Sequence, residues 1–446
     1  PLILTTGRVR DQWHTMTRTG KVSKLNQHIP EPFLEMHPTD ARPRMLEDGQ
    51  LAVINSRRGA VRVKLKITED IRPGVVFLPM HWGKVLQGDL ARANNLTETR
   101  IDPVSKQPDF KFTPVTVKAY KKRTEKICVI GAGAAAYRWV QSYREQNRKD
   151  PIHVFSQEAF PFYNRVLLPE YATDHLNWAD LQKLREGELT RLQIELHAGV
   201  KVQEIIREKK VIVDQHGQHH KYDKLILATG SRAYIPREVP LHIPGIFSMR
   251  NRGDADRLKA YLQGTGLPER DQHVTIVGGG LLGLEMAAAL RKQGLRITLI
   301  QRSARLMERQ LDPVAAKLLA DAVQDMGIQV HFSNEVSTIF QGETPNEMII
   351  TLKSGKILTA HALIYCVGTR PNIELAQAAG LKCGRGIQVN EYLQSSDSDI
   401  FAIGEIAAFK ERQYGITDAA EQQADSLARY MAGDLMATYQ GSVSMN

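Results

Sequence analysis

Two glycine stretches have the residue types and spacing to hold phosphate: Gly131-Ala-Gly133-Ala-Ala-Ala136 and, 147 residues later, Gly278-Gly-Gly280-Leu-Leu-Gly283. In such a turn the first glycine permits a tight bend and the second lets backbone approach a pyrophosphate. A small third residue keeps helix and strand close, and both Ala136 and Gly283 satisfy that. Phosphate oxygens then lie at a helix N-terminus, where unpaired N–H groups and the helix dipole favour negative charge. A single turn of this kind is weak evidence, whereas two in full strand–turn–helix context predict two dinucleotide sites. The second strand of each unit should end in an acid for a ribose hydroxyl. In the first unit Gln157 takes that place, with Glu158 one step later. In the second the strand ends Ile300-Gln301-Arg302, with Arg305 nearby. No carboxylate stands there to repel a 2′-phosphate, so NADPH is permitted beside NADH.

The elements that must position these turns are legible. Ile127–Ile130 leads into the first turn, a helix to about Asn147 and a strand at Ile152–Phe155. Val274–Val277 leads into the second, a helix to about Gln293 and a strand at Ile297–Ile300. This alternation predicts α/β architecture. Residues 1 to about 118 read differently, as short strands such as Leu51–Ile54, Val61–Leu65 and Val75–Leu78, broken by Asp48-Gly49, Arg58-Gly59 and Pro73-Gly74. That pattern predicts a β-barrel-like domain, followed by an exposed linker at Lys118–Arg123.

Composition narrows the partners. Net charge is +10, and residues 1–123 hold 22 Lys and Arg against 12 Asp and Glu, while the remainder balances at 37 of each. A localised basic excess implies a polyanion, which a pyrophosphate-bearing cofactor would satisfy. Nucleic acid is disfavoured, because the basic residues interleave with hydroxyls and prolines without an aromatic platform or recognition helix. Cys128, Cys366 and Cys383 lie far apart and offer neither a CxxC pair nor metal-ligand spacing, so no metal site is expected. No apolar run approaches the ~20 residues needed for a membrane span, and no signal-peptide pattern opens the chain. A cytoplasmic setting is expected. A start at Pro1 suggests a piece of a longer polypeptide.

Three further segments, Leu225-Ile-Leu-Ala-Thr-Gly230, Val367-Gly-Thr-Arg-Pro-Asn372 and Ile400-Phe-Ala-Ile-Gly-Glu405, complete a resemblance to the pyridine nucleotide–disulfide oxidoreductases over about residues 124–435. The resemblance implies FAD at the first turn and NAD(P)H at the second. It places Gly131, Gly133, Ala136, Glu158, Asn164, Arg165, Thr229, Gly230, Gly404 and Glu405 around FAD, and Gly278, Gly280, Gly283, Glu285, Arg302 and Gly368 around NAD(P)H. Glu405 stands where the family commonly has Asp. The stretches Phe162-Tyr-Asn-Arg-Val-Leu-Leu168 and Leu306-Met-Glu-Arg-Gln-Leu-Asp312 are similar to the flavoprotein part of NAD(P)H nitrite reductase large subunits. That group shares the glutamate and uses mainly NADH. Disulfide reductases carry a CxxxxC pair on the first helix, but Ala134–Tyr143 is free of cysteine. Electrons are therefore expected to leave toward an iron–sulfur centre or another domain.

The front segment resembles the C-terminal domain of assimilatory molybdenum nitrate reductases. The likeness rests on Leu4-Thr-Thr-Gly-Arg-Val-Arg-Asp-Gln-Trp-His14 through Gly20, Glu31–Pro38, Ser56-Arg-Arg-Gly59, Phe77–Trp82 and Asn95 to Lys111. It implies a double-psi β-barrel gripping molybdopterin guanine dinucleotide through Thr6, Gly7, Arg8, Trp13, His14, Thr15, Thr17, Asn95 and Lys111. Clustered hydroxyls and arginines suit a pyrophosphate independently of the likeness.

The expected layout is a barrel at 1–118, a linker at 119–124, FAD-domain residues at 125–240 and 361–435 around an inserted NAD(P)H domain at 241–360, and the start of another domain at 436–446. The function it implies is NAD(P)H oxidation feeding nitrate reduction at molybdenum, with the iron–sulfur and molybdenum domains of a parent chain as partners. Alternatives are a nitrite reductase or a ferredoxin- or rubredoxin-reductase-like flavoprotein, or a nucleic-acid-binding front module.

Overall fold

The computed structural model describes residues 1–446 except 14, 15, 17, 18, 83–90, 99, 100, 108, 121–123, 345, 435 and 443–446, and the side chain of Ser23. His14, Thr15, Thr17 and most of the expected linker thus lie outside the described residues. The chain divides into two compact units, 1–123 and 124–446.

The first unit contains β1 (Leu2–Gly7), β2 (Phe33–Met36), β3 (Leu51–Asn55), β4 (Ala60–Ile67), β5 (Val75–Pro79) and β6 (Thr113–Ala119). They close into a barrel in the order β1-β5-β2-β4-β3-β6. Alternation in β4 turns Val61, Val63 and Leu65 inward and Arg62, Lys64 and Lys66 outward. β1 runs parallel to β5 and β2 parallel to β4. β6 passes the expected boundary at 118, because Ala119 still pairs with Ala52.

The second unit is built on β7 (Ile127–Ile130), β8 (Ile152–Ser156), β9 (Ile194–Ala198), β10 (Lys224–Leu227), β11 (Ile246–Ser248), β12 (His273–Val277), β13 (Arg296–Ile300), β14 (Gln329–His331), β15 (Ala362–Tyr365) and β16 (Ile400–Ala402). Two five-stranded parallel sheets result, β16-β10-β7-β8-β9 and β11-β15-β12-β13-β14. Their plan is the same, with the strand before each glycine turn at the centre. Both central strands are near-continuous apolar runs, as burial on two faces requires. β15 lies between β11 and β12, so the expected boundary at 360 falls one strand early. A four-residue apolar strand reads alike in either sheet, and only its pairing assigns it.

Helices α1 (Ala134–Gln146) and α3 (Leu281–Lys292) follow the two turns, α2 (Arg252–Gly264) precedes β12, and α4 (Thr417–Ala432) packs on α1. Trp139 and Tyr143 of α1 are fully buried and stack at 4.9 Å. Arg138 forks onto Asp425 of α4 at 2.8 and 2.9 Å. Among the described residues no helix is long and apolar enough to cross a membrane.

Candidate functional site

The two glycine turns have one backbone geometry. The Gly131 N–H donates to Phe155 O and the Gly278 N–H to Ile300 O, each at 2.8 Å. Their φ angles are 107° and 112°. A Cβ on Gly131 would lie 2.1 Å from Ala228 O, and one on Gly278 would lie 2.4 Å from Cys366 O. Both the conformation and the close approach therefore exclude a side chain. At Gly283 an added Cβ would meet Gly278 O at 1.9 Å, while Ala136 in the corresponding place is wholly buried.

Gly133 and Gly280 do the opposite. A Cβ on either would meet nothing within 4 Å, so backbone at these points faces open space. They are the N-caps of α1 and α3, and neither helix has a capping side chain or a first-turn acid. By contrast, α2 opens with a capping box of Asn251 and Asp254. Two helix ends thus carry N–H groups without an acceptor from their own sequence, beside space for one. These residues fit a pyrophosphate at each turn.

A second parallel was not read from the sequence. The Phe162 N–H donates to Ala132 O at 2.9 Å, and the Met307 N–H to Gly279 O at 3.0 Å. Both donors have left-handed backbone, φ 55° and 48°. The stretches 162–168 and 306–312 therefore begin by tying a loop to the middle residue of each turn.

The acids expected around FAD come together in one network. Glu158 accepts from Tyr163 Oη at 2.7 Å and Arg165 Nη2 at 2.5 Å. Arg165 Nη1 donates onward to Arg250 O at 2.9 Å, and the Arg250 guanidinium pairs with Glu405. Glu405 also accepts from Ser231 Oγ at 2.6 Å. Burial raises the Tyr163 phenol above its ordinary range, which keeps it a donor to Glu158. Burial opposes the Arg165 charge, but the Glu158 carboxylate and then Glu405 outweigh it, and the group is held more firmly charged than usual. Each Glu158 oxygen accepts one of these bonds and retains acceptor capacity for a hydroxyl, whereas Glu405 Oε2 already accepts two. Arg250 was missed; it sits just before the Asn251 cap and is marked by no motif.

Other expected residues are tied into the backbone around them. Thr229 Oγ1 donates to Asn372 O at 2.8 Å and Asn372 Nδ2 to Thr229 O at 2.9 Å, with the Asn372 N–H on Gly230 O. Two motifs 143 residues apart thus form one clasp. Gly368, φ 109°, accepts from the Tyr234 N–H. A Cβ on Gly404 would come within 3.2 Å of Ala135 Cβ, which sets the closing motif against the first turn. The Gly404 N–H is held by buried Gln423 of α4 at 2.7 Å. Asn164 Oδ1 caps the Val166 N–H.

At the second turn Gln301 does not stand free. Its Oε1 accepts from the Gly279 N–H at 2.8 Å, and its Nε2 donates to Ser303 Oγ at 2.5 Å and Arg305 O at 2.9 Å. It is a buried tie between strand end, loop and turn. Arg302 is exposed, with no ion pair among the described residues. Burial, and then Glu170, lift the Glu285 carboxyl above its usual range.

In the barrel, Thr6 Oγ1 donates to Phe110 O at 2.9 Å, and the Arg8 guanidinium lies 5.3 Å from the Trp13 ring centre. A Cβ on Gly59 would reach Asn95 O at 2.9 Å, so the Ser56–Gly59 turn and Asn95 are neighbours. Gly7 packs under Phe77 and Lys111 is exposed. His81, fully buried, accepts from the Val9 N–H at 2.9 Å through Nε2, which places its proton on Nδ1.

The model of the pyridine nucleotide-disulphide oxidoreductase family matches residues 125–424. The chain belongs to this family. Residues 2–114 match a second model, the molydopterin dinucleotide binding domain. The chain is 30% identical to the assimilatory nitrate reductase electron transfer subunit of Bacillus subtilis (strain 168), over 72% of this chain and 41% of the relative. It is 32% identical to the nitrite reductase [NAD(P)H] large subunit of Klebsiella oxytoca, over 69% and 32%. It therefore spans less than half the length of these two relatives. The nitric oxide reductase FlRd-NAD(+) reductase of Vibrio vulnificus (strain YJ016) is 30% identical over 70% of this chain and 79% of its own. Among solved structures, a ferredoxin reductase from Rhodopseudomonas palustris superposes with a TM-score of 0.66 at 26% identity, over 71% of this chain and 78% of that one.

Proposed function

We propose that residues 124–446 form an FAD-dependent NAD(P)H oxidoreductase module that passes electrons to a molybdenum site for assimilatory nitrate reduction. One observation carries it: two open, uncapped glycine turns of the same geometry on two separate parallel sheets. FAD, when bound, supplies hydride acceptance from nicotinamide and release of single electrons. The chain's own residues position it. Gly131, Gly133 and the α1 N-terminus would hold its pyrophosphate, Glu158 its ribose, and Glu405 its ribityl chain. Gly278, Gly280, Gly283, Glu285, Arg302 and Gly368 would line the NAD(P)H site. Return of β16 to the first sheet after β11–β15 supports an inserted NAD(P)H domain.

The barrel would grip molybdopterin guanine dinucleotide through Thr6, Gly7, Arg8, Trp13, Asn95 and Lys111, together with His14, Thr15 and Thr17. The two parallel pairings in a closed six-stranded barrel support a double-psi form. Iron–sulfur and molybdenum centres of a parent chain would receive the electrons. A second reading, reduction of a separate small redox protein, is favoured by the likeness to a putidaredoxin reductase–putidaredoxin complex, TM-score 0.65 at 25% identity over 70% of this chain and 76% of that one.

An absorption spectrum and a diaphorase assay test the proposal. The purified chain should be yellow, release FAD on denaturation and reduce ferricyanide with NADH. Protein that stays colourless and takes up no added FAD would overturn it. Rapid reduction of an added ferredoxin would favour the second reading.

A further inference from the structure

We propose that His153, Glu195 and His197 form a binding site for a divalent transition-metal ion of the zinc class, separate from both glycine turns. The sheet builds the site. β8 and β9 pair in parallel, with His153 opposite Glu195 and Phe155 opposite His197. Alternation along a strand brings residues two apart to one face, so both histidines and the glutamate converge there.

The geometry is that of a ligand set. His153 Nδ1 lies 3.3 Å from His197 Nε2 and 3.3 Å from a Glu195 oxygen, while His197 Nε2 lies 3.2 Å from the other. Around a tetrahedral zinc with bonds of ~2.0–2.1 Å, neighbouring donor atoms are about 3.3 Å apart. The two histidine nitrogens stand at that spacing from one another and each from one Glu195 oxygen, and one ligand atom from each residue lies within 4.8 Å of the others. A fourth position is left for water or an external ligand, the arrangement of an open site.

The surroundings favour occupancy. Phe155 stacks on the His197 ring at 4.3 Å and 5°, fixing its plane. His220 stands at 5.5 Å from His197 but is committed to Asp214 at 2.9 Å, so it is a neighbour and not a ligand. The Glu195 side chain is 62% exposed, which gives an ion a way in. Lys126 is the opposing charge nearby. Two imidazoles and one carboxylate suit zinc, cobalt, nickel or copper over magnesium or calcium. His153 is the second residue of β8, five residues before Glu158; none of the three ligands bonds the first turn, although Phe155, against which His197 stacks, gives its carbonyl to the Gly131 N–H. An ion there would clamp the edge strand β9 onto the sheet.

The test uses the full chain, untagged, loaded with FAD and stripped with EDTA. Cobalt(II) should give visible ligand-field bands at one equivalent, and zinc should abolish them and raise the melting temperature. Glu195→Gln, an isosteric change at an exposed side chain, and His197→Ala should each weaken zinc binding at least about tenfold. Bound FAD should be unchanged in both. Absence of ligand-field bands, or zinc affinity equal to the parent in both variants, would overturn the proposal.

Discussion

The first and second glycine turns share their strand order, their φ angles and the loop that returns a left-handed N–H to the middle residue, yet they differ in what surrounds them. The first is ringed by charge: Glu158, Arg165, Arg250 and Glu405 form one connected set. At the second the side chain bonded to the turn itself is the neutral Gln301, and the exposed Arg302 makes no ion pair among the described residues. The helices repeat the contrast. Arg138 on α1 pairs with Asp425, whereas Glu285, seven residues past its own first glycine like Arg138, is raised in pKa by burial and Glu170. On the proposed reading one backbone geometry would make both dinucleotide sites, and the side chains around each would decide how firmly and which nucleotide is held.

The largest effect should come from splitting the turns. Gly131→Ala forces a Cβ onto Ala228 O at positive φ, a strain on the order of 3 kcal/mol or more. FAD should be lost, read as absorbance per chain. Gly278→Ala imposes the equivalent clash and should abolish flavin reduction by NADH while FAD stays bound. Loss of both cofactors from either variant would mean the turns are not independent sites.

An intermediate effect is expected at Gln301. As a free residue beside a ribose, its change to Glu would reject NADPH alone. As the tie described, Gln301→Glu removes the donor to Arg305 O and charges a buried group, at ~1–3 kcal/mol. KM for NADH and NADPH should rise together, with a lower melting temperature. Arg302→Ala should instead cost NADPH alone about tenfold, equivalent to ~1.4 kcal/mol. Selective loss of NADPH in Gln301→Glu would restore the simpler view of that side chain.

The smallest effect concerns Glu285. Its folded pKa lies above the unfolded value, so the folded state is favoured at low pH and loses that advantage as pH rises through the folded pKa. Glu285→Gln should therefore melt higher than the parent at pH 7, with the gap closing toward pH 4. A constant gap across that range would show that the carboxyl titrates normally.

Local pattern was enough to find the turns. Glycine spacing and flanking apolar strands are contiguous in sequence, and φ near 110° against a carbonyl admits little else. The barrel strands at 51–55, 60–67 and 75–79 were legible because alternation marks an inward face. The paired roles of Phe162 and Met307 were not, since left-handed backbone at these side chains has no compositional mark. Arg250, His81 and Gln423 were invisible for another reason: each acts on a residue 19 to 155 positions away.

What the sequence determined by itself was the existence and order of the local units: two glycine turns between strand and helix, a basic barrel and a cysteine-free first helix. Tertiary structure alone decided which distant side chains meet them. It placed Ala362–Tyr365 in the second sheet, turned Gln301 inward, joined Glu158 to Glu405 through two arginines, and gathered His153, Glu195 and His197 on one sheet face. The physical reason is range. Turns and strands are set by φ, ψ and alternation among neighbours, whereas hydrogen bonds and ion pairs between elements depend on register and packing, which no local pattern encodes.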